Sequence, residues 1–343
     1  MSLERPRSPL PTSSSDDSER TPGRVLDGDG VQRRAMAGQG IPLFRTIRNA
    51  LQMYHKHRKY TDREVETYRQ RYEFLVGLLK RSTGKPACGS RILEVGCGQR
   101  AVMPLLFAAN GAEACAVDVE TPTYRMNVPS FFRTLRNNGA HRAIKSAVRH
   151  VLFDRRFFTG LEQACSVVLH PFPAIDMRVT DAAKAELPRD RFDMIFSFNV
   201  MEHIVGVESA VRNINSALKP GGVGYVMVHL FPSLSGGHCM DWQYALDPSY
   251  PDCGVPAAVV PWDHLRENSY PSDSFLNRLR LSDYRDIFHR CTLVVAEDLQ
   301  REGDDLLQFA PRELLTKYTA DDLTTALVAF TFRKSLPAST PAG

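Results

Sequence analysis

A glycine turn and a set of histidines are the residues in this chain best suited to chemistry. The stretch Arg91-Ile-Leu-Glu-Val-Gly-Cys-Gly-Gln-Arg100 reads as a buried strand running into a turn. Gly96 and Gly98 let the backbone turn tightly and approach a ligand. Asp118 closes a second apolar strand, where a carboxylate can accept both hydroxyl hydrogens of a ribose. NAD and S-adenosylmethionine both carry an adenosine ribose, so Asp118 does not separate them. Glu94 does, because an acid two residues before the first glycine suits a cationic amino group and works against a pyrophosphate. S-adenosylmethionine has an α-ammonium, a sulfonium and no phosphate. Arg100 reads as an exposed first-turn arginine, and Cys97 as a small filler of the loop.

The histidines suit proton transfer. Imidazole is the natural base near neutral pH, and a hydroxyl must lose its proton to act as a good nucleophile. His203 follows the fourth strand in Met-Glu-His, and His229 ends the fifth. His238 sits in SLSGGHC, where glycines permit close approach, and is the preferred base; His264 lies in PWDHLR. Trp262 and His264 offer the aromatic and polar groups that suit a sugar or polyol face. Asn277 and Arg278, with Arg280, read either as an anion-binding set or as the cap of a helix. The histidines and acids show no metal-ligand spacing, so no metal ligand is assigned and metal dependence stays open.

The elements that must position these residues are legible from pattern. Apolar runs at 91–95, 114–120, 175–182, 192–200, 223–230, 291–299 and 324–334 read as strands. MPLLFAANG and ESAVRNINSALKPGG read as helices between them, the second closed by Pro-Gly-Gly. Strands alternating with helices imply an α/β, doubly wound, seven-stranded, mostly parallel sheet, with ligands at the carboxyl ends of its strands. Residues 1–38 and 336–343, rich in Ser, Pro and Gly, read as disordered tails. Residues 39–84 read as a helical extension. It begins with an amphipathic helix over 41–60, and a Thr61–Glu64 capping box opens a second helix to about 80. The main domain spans 85–335, with insertions at about 121–172 and 231–290 that exceed what the sheet needs and suit a substrate site.

With Glu94-Val-Gly-Cys-Gly98 and Asp118 in order before Asp181-Ala182, Phe192-Asp-Met-Ile-Phe-Ser-Phe-Asn-Val-Met-Glu-His203 and Leu218-Lys-Pro-Gly-Gly222, the chain resembles the class I S-adenosylmethionine-dependent methyltransferases over roughly 88–230. The resemblance implies a last strand that runs antiparallel and S-adenosyl-L-methionine as cofactor. It also implies roles by position. Glu94, Gly96 and Gly98 line the methionine end, and Asp118 holds the ribose. Asp181 meets the adenine amino group with Ala182 beside it, and Asn199 lies under the transferred methyl. Glu202 with His203 helps shape the acceptor pocket. Arg100 departs from the pattern, since many members have a third glycine there. The SGGH…HLR…LNRLRLSDY arrangement is also similar to methyltransferases of bacterial glycan and natural-product biosynthesis, which points to oxygen methylation of a saccharide or small metabolite.

Composition adds bounds. The chain has 43% hydrophobic and 24% charged residues and a net charge of +4, typical of a globular protein. Its seven cysteines form no CxxC pair and read as reduced thiols. With no apolar signal core, this leads to a cytoplasmic expectation. No run is long enough to span a bilayer. Arg133, Arg136, Arg142, Lys145, Arg149, Arg155 and Arg156 make the first insertion basic. That face reads as a solvated surface, a clamp for an anionic acceptor or lipid headgroups, or an RNA-binding arm. A small-molecule or saccharide acceptor is expected, nucleic acid is not, and peripheral membrane contact is kept open. RNA methylation and a non-catalytic cofactor-binding protein stand as alternatives.

Overall fold

The computed structural model describes residues 43–238, 260–266 and 275–334; side chains are described from residue 59 onward, except at 138, 141 and 142. The tails read at 1–38 and 336–343, and residues 239–259 and 267–274 of the second insertion, lie outside the described residues.

The chain enters through one helix, α1 (Leu43–Thr83). The sequence reading placed two helices here, with a start at Thr61. They are one because no proline interrupts the segment and its apolar stripe continues: Val65, Tyr68, Tyr72, Leu75 and Leu79 recur at helical spacing and face the core. Glu64, the expected capping partner, instead accepts from Arg100 at 2.9 Å. Then come β1 (Arg91–Val95), α2 (Val102–Ala109), β2 (Glu113–Asp118), α3 (Val128–Asn138), α4 (Ala140–Arg149), a single π turn at 150–154, α5 (Arg155–Cys165) and β3 (Asp176–Val179). The second half runs β4 (Phe192–Phe198), a one-turn helix at 201–203, α6 (Val207–Ala217), β5 (Leu218–His229), α7 (Leu281–Cys291), β6 (Leu293–Arg301), the short α8 (Arg312–Lys317) and α9 (Ala320–Thr324), and β7 (Thr325–Arg333).

The seven strands form one sheet in the order β3-β2-β1-β4-β5-β7-β6. The first five pair in parallel, while β7 runs antiparallel to both β5 and β6. The order reverses between β1 and β4, and that crevice at the carboxyl edge is where a ligand of such a sheet sits. Leu218–Gly222, read from sequence as the end of a helix, already belongs to β5. Leu218 pairs with Phe192, and the register slips before Met194 meets Val223. The slip accommodates Pro220 and two glycines, which cannot continue α6.

Each face of the sheet carries its own core. On one side α6 and α7 cover Leu93, Ile195, Val226 and Phe330, with Phe288 stacked on Phe330 at 4.2 Å. On the other, α1, α2 and α5 cover Ile92, Met194, Phe196 and Tyr225. Tyr68 meets Phe157 edge-on at 5.7 Å and Tyr72 meets Phe107 at 5.0 Å, which seats α1 on the sheet's helical layer. At the amino edge, Asp193 accepts from Lys85, Lys219 and the amide of Arg91. Those positive partners hold its carboxyl below the usual range despite burial. Among the described residues no helix is long and apolar enough to cross a membrane.

Candidate active site

The carboxyl ends of β1, β2 and β4 converge on the glycine turn. Gly96 is left-handed at φ 80°, and its amide donates to Val117 at 2.7 Å, which pulls the turn toward β2. A Cβ on Gly96 would lie 2.1 Å from Val200 Cγ2, so only glycine lets the turn pass beneath the β4 end. Gly98 is also left-handed, at φ 64°, yet a Cβ there would meet nothing within 4 Å. Gly96 is therefore a packing requirement, and Gly98 faces open space. Asp118 accepts from the Gly98 amide and from the Glu120 amide, each at 2.7 Å, and so ties the turn to the strand end that faces it.

Glu94 is 6% exposed, and its Oε2 has no hydrogen-bond partner among the described residues. Burial, with the charge of Asp118 added, pushes its carboxyl up to about 8; the positive Arg71 opposes this. A buried acid left without a partner is costly unless something cationic completes it. Arg71 is the residue that sequence reasoning missed. It lies on α1, far from the motifs, and its guanidinium stacks over Phe198 at 4.7 Å. In sequence Arg71 is one arginine among several on an amphipathic helix, and only the packing of α1 brings it to Phe198 at the end of β4.

Further along the same edge, Asp181 accepts from the Ala183 amide at 2.9 Å, and the carbonyl of the nearly buried Ala182 accepts from Asn213. Asn199 sits at the end of β4 with φ 54°, its amide donating to Met227 and its buried Oδ1 unpartnered among the described residues. Gly98, Glu94 and Asn199 thus present open space and two orphaned buried oxygens, one of them acidic. That fits a cofactor whose reacting end carries an ammonium and a sulfonium.

The histidines gather beside this edge. His238 lies against His203 at 5.1 Å and against His229 at 4.7 Å between ring centroids. Burial drives His238 down to about 2 and His229 down to about 4, with mutual repulsion among the imidazoles added; burial also lowers His203. All three are neutral near neutral pH. His203 Nδ1 donates to the Phe275 carbonyl at 2.8 Å, which leaves Nε2 as its lone pair. Ser235 Oγ donates to Glu302, so it accepts from His229 Nε2 at 2.8 Å and leaves Nδ1 unprotonated. His238 Nε2 is buried and unpartnered among the described residues. Glu202 lies beneath, 1% exposed, with neither carboxylate oxygen hydrogen-bonded; burial pushes it up to about 8.

The remaining residues read from sequence are placed differently. Trp262 is fully buried with Leu234, Ala310, Leu314 and Leu323, and its indole donates to the Leu323 carbonyl at 2.9 Å. It supports the loops from the interior. His264 Nε2 donates to Phe231, and its side chain fills the space beside Gly237, holding the loop that carries His238. Asn277 donates to the carbonyls of Met201 and Ile204, accepts from Tyr284, and its own amide donates to Glu202. Its polar groups are spent on the 201–204 turn, so it positions Glu202 and His203. Arg278, at φ 60°, stacks over Phe231 at 5.2 Å.

Arg100 is not the exposed arginine the sequence suggested. It is 8% exposed, bonded to Asp154 at 2.8 Å and Glu64 at 2.9 Å, and stacked on Phe157 at 4.3 Å. In the basic insertion, Arg149 and Arg156 pair with Asp154 and Asp62, while Arg133, Arg136, Lys145 and Arg155 are exposed. Phe132, Ile144, Val151 and Leu152 of the same insertion are exposed as well. Arg142 lies outside the described side chains. Cys88, Cys97, Cys115, Cys165 and Cys291 are free thiols, and Cys239 and Cys253 lie outside the described residues.

A parallel sheet closed by one antiparallel strand, with a glycine turn over a buried acid, defines a class I S-adenosylmethionine-dependent methyltransferase. A family model described as a methyltransferase domain matches residues 66–333, and the chain belongs to that family. The matched domain is a methyltransferase domain whose cofactor is S-adenosyl-L-methionine. An uncharacterized methyltransferase of Mycobacterium tuberculosis (strain H37Rv) is 29% identical over 103 residues, covering 29% of this chain and 48% of that protein. The chain thus spans about half the length of the curated relatives it matches. Among solved structures, Haemonchus contortus phosphoethanolamine N-methyltransferase 2 in complex with S-adenosyl-L-methionine is 14% identical, with a TM-score of 0.39 over 83% of this chain and 60% of that one. An S-adenosylmethionine-dependent methyltransferase from Mesorhizobium loti is also 14% identical, with a TM-score of 0.37 over 72% of this chain and 92% of that one.

Proposed function

We propose that the enzyme methylates a hydroxyl of a saccharide or other small polar metabolite. The observation that carries this reading is the contact of three neutral imidazoles, His203, His229 and His238, at the carboxyl ends of β4 and β5. An amine acceptor needs only to arrive deprotonated, whereas a hydroxyl needs a proton acceptor at the moment of transfer.

Glu94 binds the methionine ammonium and Arg71 the methionine carboxylate. Asp118, fixed at the end of β2 by the amides of Gly98 and Glu120, takes the ribose hydroxyls. Asp181 and Ala182 border the adenine, and Asn199 turns its free Oδ1 toward the methyl. The cofactor supplies an electrophilic methyl on a cationic sulfur. The histidines explain the other half of the charge account. Beside a sulfonium an imidazole resists protonation, and once the sulfur has become neutral the same imidazole can take the acceptor's proton. One positive charge moves across the pocket and none is created. Arg278, close to His264, suits an anionic group on the acceptor.

The test is turnover on a panel of glycans, nucleotide-linked sugars and polyols with wild type and His238→Ala. Methyl ether formation by the wild type, with kcat at least about a hundredfold lower in the variant, is the expected result. Methylation only of amines, at a rate indifferent to His238, would overturn it.

A further inference from the structure

We propose that Glu202, His203 and His238 bind one divalent transition-metal ion, and, on the hydroxyl reading above, that this ion holds the acceptor oxygen. One donor atom from each of the three residues lies within 4.8 Å of the others. Ligands of a single tetrahedral ion at about 2.1 Å stand about 3.4 Å apart, so small side-chain rotations close the set. The donors are otherwise unused. Both Glu202 oxygens and His238 Nε2 are buried without a partner among the described residues.

The surroundings orient these donors as metal ligands are oriented. The His203 Nδ1 proton is committed to the Phe275 carbonyl, which fixes the ring and turns the Nε2 lone pair free. Asn277 clamps the turn that carries Glu202 and His203 through Met201, Glu202 and Ile204. His238 is held in a left-handed backbone conformation at φ 53°, a strained position that aims one side chain from a glycine loop. His229, braced by Ser235 and Glu302, backs the His238 ring.

Two imidazoles and one carboxylate select zinc, manganese, iron(II) or cobalt over magnesium or calcium, which prefer all-oxygen shells. Three protein ligands leave positions open for substrate. The acceptor hydroxyl takes one of them and releases its proton to water, as a metal-bound hydroxyl does more readily than a free one. Its oxygen lone pair then forms the O–CH3 bond while the S–CH3 bond breaks. Those electrons stay on sulfur, and S-adenosylhomocysteine leaves as a neutral thioether. No oxidant or reductant is involved. With the ion bound, His203 and His238 act as its ligands, and water rather than an imidazole takes the proton.

The experiment uses full-length protein stripped with a chelator and checked for S-adenosylhomocysteine binding. Titration with Co2+ reads the ligand-field absorption, competition with Zn2+ and Mn2+ reads affinity, and X-ray absorption on the cobalt form counts imidazole ligands. One ion per chain with two imidazoles is expected, weakened at least about a hundredfold in His238→Ala and in Glu202→Gln while cofactor binding persists. If stripped wild type binds the cofactor but takes up no ion, or if uptake survives both substitutions, the site does not exist. Two further outcomes separate the readings. Ion binding without turnover of any hydroxyl acceptor leaves the site and removes the hydroxyl chemistry. Full turnover by stripped protein removes the ion from the reaction.

Discussion

Replacing Glu94 with glutamine should abolish a proton-linked step in cofactor binding. In the free protein, burial and Asp118 hold the carboxyl at about 8, so near pH 7 it is mostly protonated. The cofactor's ammonium favours the ionised form, and an α-amino group itself titrates near 8. Binding therefore selects the ionised acid paired with the protonated amine. The fraction of encounters in that state rises about eightfold from pH 6 to pH 7 and about a further two- to threefold by pH 8, where the two titrations balance. Calorimetry with S-adenosylhomocysteine in buffers of different ionisation enthalpy should show about 0.8 proton released per molecule bound at pH 7. Glu94→Gln cannot release that proton. Its affinity should vary little below pH 7. The charge-assisted bond, about 1.5–3 kcal/mol, should make wild type roughly tenfold tighter at pH 8, with the gap closing toward pH 6. A pH-independent gap, or equal proton release by both proteins, would refute Glu94 as the ammonium site.

The two glycines of the turn should fail in different ways. Gly96→Ala forces a Cβ to within 2.1 Å of Val200 at φ 80°. Left-handed strain and overpacking together cost about 2–5 kcal/mol, so Tm should fall by roughly 5–15 °C, partly recovered by Val200→Ala. Gly98→Ala meets open space and should shift Tm by only a few degrees while cofactor affinity falls sharply; the reverse ranking in thermal melts and titrations would contradict the packing described. Stability of the cofactor-free, chelator-treated protein should peak near pH 6.5. The buried histidines 203, 229, 238 and 264 have folded pKa values below the ordinary 6.5, so their contribution is lost as pH falls beneath it. Glu94 and Glu202, raised from 4.5 to about 8, take stability away as pH rises through that window, and above 6.5 they act unopposed. Melting temperatures that climb steadily from pH 6.5 to 8 would show that one of these burials is wrong.

The seven strands and the glycine turn were legible because each rests on local pattern, while the antiparallel run of β7 came only from the family resemblance. Continuous apolar runs mark buried parallel strands, and paired glycines mark a turn that no other residue could make. The histidines were legible one by one, and their assembly was not. His203 and His238 meet through the loop after β5, whose path no periodicity describes. The same gap hid the use of Asn277, whose amide looked free for an acceptor until Met201 and Ile204 proved to occupy it. Arg100 and Trp262 mislead for a common reason: long polar-tipped side chains look like surface or binding groups, and only tertiary partners, Asp154 for one and the Leu323 carbonyl for the other, reveal them as interior fasteners. The single long α1 was obscured by a local capping signal that packing overrode.

Arg100 has a consequence for what counts as a removable part. It sits two residues past Gly98, yet its partners come from elsewhere: Glu64 from α1, Asp154 and Phe157 from the insertion between β2 and β3. The glycine turn is thus anchored to the two segments that look like accessories to the sheet. Trimming the chain to a minimal core at residue 85 would take away Glu64 and Arg71 together, and excising the insertion would leave a buried guanidinium without its acid. Neither segment can be exchanged like a module to alter acceptor choice. A graft onto this scaffold has to carry the acid and the ring that Arg100 requires, or replace the arginine at the same time.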